Sequence, residues 1–115
     1  MDKLDTFTQA FIIALLWSTI DGDEPLDQNF DINDIAPETM EKIKTECKDF
    51  QTQNASLMDG FDPESCGHDF ALTRNRHGAG FWDRGYGAVG DQLTEACHAF
   101  GEFNLYVGDD KLLYA

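Results

Sequence analysis

A chain of 115 residues has the length of one domain and can close a hydrophobic core without metal or disulfide staples. Its composition, 42% hydrophobic and 12% aromatic with nine Phe, excludes a disordered chain. The formal charge of −14, from 22 Asp and Glu against 8 Lys and Arg, repels nucleic acid and anionic membrane alike and excludes a nonspecific nucleic-acid-binding role.

In chain order, the first expected element is a helix from Leu4 to Ser18, with Leu4, Phe7, Phe11, Ala14 and Leu15 at helical spacing and Ile12, Ile13 and Leu16 widening the apolar face. A helix apolar most of the way round is largely buried or meets a partner subunit. Its apolar run Phe11–Trp17 is too short to span a bilayer, has Asp2 and Asp5 around Lys3 instead of a basic flank, and precedes no small-residue cleavage site. It reads as a core helix, and the protein as cytoplasmic. Residues 21 to 36 follow as an acidic, turn-rich connection pinned to the core by Leu26, Phe30, Ile32 and Ile35.

The second helix opens at Pro37, with Glu38 and Glu41 where the helix dipole favours negative charge. Met40, Ile43, Cys47, Phe50, Asn54 and Leu57 then form one narrow stripe, too short and too polar at Asn54 for a coiled coil. The third helix starts at Asp62-Pro63-Glu64 and runs to about Thr73, with Cys66, Phe70 and Leu72 inward and Gly67 weakening it by roughly 1 kcal/mol relative to Ala. The stretch from Arg74 to Gly90 holds Gly78, Gly80, Gly85, Gly87 and Gly90 around a short strand at Phe81-Trp82. A fourth helix runs from about Val89 to Phe100 and stops at Gly101. Phe103–Val107, the turn Gly108–Lys111 and Leu112–Tyr114 read as a β-hairpin that pairs with the Phe81-Trp82 strand. The expected fold class is therefore α+β, one acidic domain over residues 1–115 with about four helices and a small antiparallel sheet.

Cys47, Cys66 and Cys97 are odd in number, lack CxxC spacing and fall on apolar helix faces, so they read as buried reduced thiols. A zinc site joining them to His68 or His98 lacks the usual local ligand pairs. No metal and no cofactor is expected.

The segment from His68 to Gly85, His-Asp-Phe-Ala-Leu-Thr-Arg-Asn-Arg-His-Gly-Ala-Gly-Phe-Trp-Asp-Arg-Gly, is the densest in chemistry. With Ala36-Pro37-Glu38 upstream and Leu105–Asp110 downstream, it resembles a family of small uncharacterised proteins carried by bacteriophages and related mobile elements, over most of the chain from Ala14 onward. No activity is attached to that family, so the resemblance implies a setting inside a host cell and no mechanism. Ala71 stands where similar sequences often carry a large aromatic ring, which would alter any surface using that ring.

Three readings of the segment stand side by side. In the first, His68, Asp69, His77 and Asp83 form an acid/base or metal cluster on a glycine-rich loop. Against it, His77-Gly78-Ala79-Gly80 lacks the lysine of a phosphate loop, and the chain has no Gly-x-Ser-x-Gly or His-Glu-x-x-His motif. In the second, the glycines allow turns, Arg74, Arg76 and Arg84 pair with Asp69, Asp83 or the acidic connection, and Phe81 and Trp82 fill space. In the third, Trp82, Arg84 and Tyr86 anchor a partner protein.

The acidic connection is the other candidate. Asp21, Asp23, Glu24, Asp27, Asp31, Asp34, Glu38 and Glu41 give a local charge of −8 with no Lys or Arg among them. A calcium loop fails on spacing, with Pro25 at position five and no glycine at six. A surface dense in carboxylates either solvates the protein or imitates the charge of nucleic acid, about one phosphate per 1.7 Å of duplex. The reading favoured is an acidic inhibitor that occupies the basic nucleic-acid-binding surface of a host protein without touching nucleic acid or membrane itself, as a monomer or homodimer. Its partner-binding residues are then Asp21, Asp23, Glu24, Asp27, Asp31 and Asp34, with Trp82, Arg84 and Tyr86 serving the non-mimetic alternative.

Overall fold

A computed structural model of the chain describes residues 4–76 and 80–115. Four helices carry it: α1 (Thr6–Ser18), α2 (Pro37–Asn54), α3 (Pro63–Arg74) and α4 (Ala88–Phe100). The strands are short: β1 (Ile20–Asp21) pairs antiparallel with β2 (Glu24–Pro25), and β3 (Tyr106–Val107) with β4 (Leu113–Tyr114). The α+β class follows, with helices dominating.

Local chemistry sets the helix starts. The Asp5 carboxylate accepts from the Thr8 N–H at 2.8 Å and so caps α1, whose first residue is Thr6 and not Leu4. Pro37 and Pro63 occupy the first positions of α2 and α3, where a missing N–H costs nothing. At the far end of α4, Gly101 takes φ +77 and donates its N–H to the His98 carbonyl, a conformation that a side chain would strain.

The core is built from rings. Phe7, Phe11, Phe50, Phe70, Phe81 and Phe103 are fully buried among Leu15, Ile43, Leu93 and Leu113, and Phe50 stacks on Phe70 with centroids 4.2 Å apart. Each buried ring contributes about 1.5–3 kcal/mol relative to exposure. α1 lies along α3, and Gly67 makes this approach possible, because a Cβ there would collide with the Phe7 carbonyl oxygen. The glycine that weakens α3 as an isolated helix therefore lets two helices meet.

Two expectations about strands are corrected. Phe81–Asp83 is a 3₁₀ turn and not a strand; its buried Phe81 enters the core while the Phe81 N–H donates to Thr73 Oγ1 at 3.1 Å. The C-terminal hairpin consequently does not pair there. It meets the connection instead, through a parallel bridge of Leu113 to Ile35 and a hydrogen bond from the Ala36 N–H to the Leu113 carbonyl at 3.0 Å. The connection itself is structured, holding the β1–β2 hairpin and two 3₁₀ turns, Leu26–Gln28 and Ile32–Asp34. Among the described residues no helix is long and apolar enough to cross a membrane.

Candidate functional site

The segment that follows His68 is a set of clasps. Asp69, buried on α3, receives both arms of Arg84, Nε to Oδ2 at 2.9 Å and Nη2 to Oδ1 at 2.8 Å. That hydrogen bonding, ahead of the opposing effect of burial, raises the Arg84 pKa above its ordinary value. Thr73 holds the 3₁₀ turn as described. Asn75 grips Phe103 in both directions, its Nδ2 donating to the Phe103 carbonyl at 3.0 Å and its Oδ1 accepting from the Phe103 N–H at 2.7 Å.

Arg74 is the most constrained side chain of the set. Only 2% exposed, it lies against the rings of Phe11, Phe70, Phe100 and Phe103, with Cζ 5.0–5.9 Å from their centroids. Its Nε donates to the Gly101 carbonyl at 2.8 Å and its Nη2 to the Phe100 carbonyl at 3.1 Å and to Glu46 at 2.6 Å. The guanidinium thus satisfies the last carbonyls of α4 at the negative end of the helix dipole. Its acidic partner is Glu46 of α2, and not Asp69, Asp83 or the connection as the sequence led us to expect. Arg84 does pair with Asp69 as expected.

These placements leave little of a catalytic cluster. His68 and Asp69 adjoin, Nδ1 to Oδ1 at 3.4 Å, but both Asp69 oxygens are held by Arg84, and the His68 ring stacks on Trp17 with centroids 5.7 Å apart. Asp83 is exposed on the 3₁₀ turn, where its N–H donates to the Gly80 carbonyl at 3.1 Å, and its carboxylate makes no ion pair among the described residues. His77 lies outside the described residues. No group of three His, Cys, Asp or Glu side chains among the described residues is arranged to hold a metal. The thiols are no nucleophiles: burial pushes Cys47 up to about 12 and Cys66 up to about 11, the latter also through Asp69 and Asp62, and burial raises Cys97 as well.

Of the three expected anchors, Trp82 is 52% exposed on the 3₁₀ turn. Arg84 is committed to Asp69, and Tyr86 stacks on Phe61 with centroids 4.2 Å apart. Burial, with the negative charge of Asp69 behind it, raises the Tyr86 pKa. Ala71 is buried, so a large ring at that position would enter the core and not a surface.

The acidic connection is built oppositely. Asp21, Asp23, Glu24, Asp27 and Asp31 are exposed and Asp34 is half-buried. None of the six makes an ion pair among the described residues. Their polar contacts are local: Asn29 donates to Glu24 at 2.9 Å, the Asn33 N–H to Asp31 and the Asp31 N–H to Asp34, each at 2.8 Å. In the β1–β2 hairpin Asp21 stands directly across from Glu24, a like-charge pairing that costs stability. Beside this array, sequence reasoning missed a cavity of about 460 Å³ bounded by α1 and the Ile32–Asp34 turn. The signal for it was Ile13, the residue that makes the first helix apolar beyond one face.

No protein-family model, curated protein or solved structure matches the chain.

Proposed function

We propose that the chain is a phage-type accessory protein of the host cytoplasm that binds and inhibits a host enzyme handling nucleic acid, with its carboxylate array seated on that enzyme's basic surface. The observation that carries this reading is the like-charge display of the connection. Six carboxylates stand without a cation among the described residues, even where Asp21 faces Glu24 across a hairpin. A basic groove built for phosphates attracts such an array, and the net charge of −14 keeps the protein itself off nucleic acid and anionic lipid. The setting inside a host rests on the resemblance of residues 68–85 to mobile-element proteins.

The test is capture of partners from host extract at low and high salt, followed by assay of the captured enzyme on its nucleic-acid substrate. The wild-type chain should inhibit, should release its partner steeply as salt rises, and should lose both properties in Asp23→Asn/Glu24→Gln/Asp27→Asn/Asp31→Asn. Asn retains the capping role at residue 31, so the fold is spared. Binding that survives salt and the fourfold variant unchanged would overturn charge mimicry. One observation favours a second reading, a non-mimetic interaction through the loop of Trp82, Arg84 and Tyr86: the indole of Trp82 is 52% exposed. Capture abolished by Trp82→Ala and indifferent to salt would select it.

A further inference from the structure

Ile13 is 61% exposed in the middle of α1, and the surface falls away on both sides of it. On one side is the cavity of about 460 Å³, floored by Ile12 and Leu16, walled by Leu4 and Ile32, and edged by Asp31. On the other is a smaller hollow of about 200 Å³ lined by Ala10 and Glu64. Ile13 and Gln9 line both hollows and form the ridge between them, with Ile13 its apolar part, and each hollow has one carboxylate in its lining. No Lys or Arg among the described residues lines either one. Asp31 belongs both to the rim of the larger cavity and to the acidic connection, so the apolar and charged surfaces are continuous.

The charges decide what can cover this face. A second copy docked through α1 would bring its own Asp31, Glu64 and acidic connection against the same groups, and each copy already carries −14. An anionic membrane and a nucleic acid are repelled for the same reason. A protein segment with apolar side chains flanked by Lys or Arg satisfies every feature: its apolar face fills the two hollows over Ile13, and its cations meet Asp31, Glu64 and the connection. Such segments bind grooves of this kind through helical apolar anchors.

We infer that the face of α1 around Ile13 and the acidic connection form one docking surface for a cationic amphipathic segment of a partner protein. The inference rests on the proposed function and deepens it, since recognition then needs apolar anchors as well as charge. A bare phosphate-binding groove would use the carboxylates alone.

The test uses the full chain and three labelled synthetic peptides, read by fluorescence anisotropy: a helical peptide with leucines on one face and lysines on the flanks, an all-lysine peptide of equal charge, and the leucine peptide with glutamine in place of lysine. The first should bind at least about tenfold tighter than either control, the gain expected from burying one large apolar side chain. Ile13→Asp should remove that advantage, although it adds a negative charge. Ile32→Asp, on the opposite wall, should do the same, and circular dichroism checks that both variants keep the fold. Equal binding of the two lysine peptides, unmoved by Ile13→Asp, would overturn the inference and leave the charge reading standing. Failure of both lysine peptides to bind would overturn both. Equal binding of the glutamine peptide would show an apolar groove without charge selection and overturn the inference. A dimer in sedimentation that Ile13→Asp dissociates would overturn it in favour of a second copy.

Discussion

The connection from Ile20 to Ile35 and the third helix with its following loop treat charge in opposite ways. In the connection, carboxylates are exposed and unneutralised, and the hairpin even sets Asp21 against Glu24. Around α3, the buried charges are spent on closure: Asp69 on Arg84, and Arg74 on Glu46 and the end of α4. Neutralising a charge should therefore destabilise the protein in the second region and leave it unchanged or firmer in the first. Charge that the fold does not use is charge available to a partner.

The hardest blow to that contrast falls on Arg74. Arg74→Met should cost about 3–5 kcal/mol in urea unfolding, because Glu46 and two helix-end carbonyls lose their donor. A cost under about 1 kcal/mol would mean that the buried cation is not what closes α3 onto α4. Gly67→Ala comes next, at about 1–3 kcal/mol destabilising, since the new methyl must displace the Phe7 backbone. Helix propensity alone predicts the opposite sign, a gain of about 1 kcal/mol, so a thermal melt separates the two accounts.

The thiols give a pH signature to the closed region. Burial raises Cys66 to about 11 from an ordinary 9.0, and a raised folded-state pKa means stability complete below the ordinary value and lost as pH rises through the raised one. Stability should fall by at most about 1.4 kcal/mol per thiol per pH unit between those limits. Native thiols should also react far more slowly with a disulfide reagent than thiols in urea. Cys66→Ser abolishing none of the alkaline slope would count against burial as its cause. The smallest effect belongs to the connection: Asp21→Asn should raise stability by about 0.2–1 kcal/mol at low salt and by nothing measurable at high salt. A loss of stability there would break the contrast between the regions.

How much of this was legible depends on range. All four helices follow from local signals, the stripe from Met40 to Phe50 and the Asp62-Pro63 and Pro37 starts among them. Phe81-Trp82 misled because two aromatic residues favour strands in general, while here Thr73 draws the Phe81 N–H into a turn and Ile35 takes the hairpin edge. Arg74 was expected to pair with Asp69, Asp83 or the connection; what makes it interior is the convergence of Phe11, Phe100 and Phe103 from distant segments onto Phe70 of its own helix. The carboxylate array was readable residue by residue, since nothing basic interrupts it. The hollows flanking Ile13 were not, because one wall comes from the connection and the other from Glu64.

The grip of Arg74 on Gly101 also bears on how the chain comes to fold as it is made. The two residues are 27 apart, and until Phe100 and Gly101 leave the ribosome the guanidinium has no carbonyl at the end of α4 to bind. The first three helices are then complete while the Phe11, Phe70 and Phe103 cage around Arg74 is still open, so the core closes late, in one step, when the end of the fourth helix arrives. A nascent chain halted before Phe100 should be readily proteolysed, and release of a few more residues should protect all four helices together.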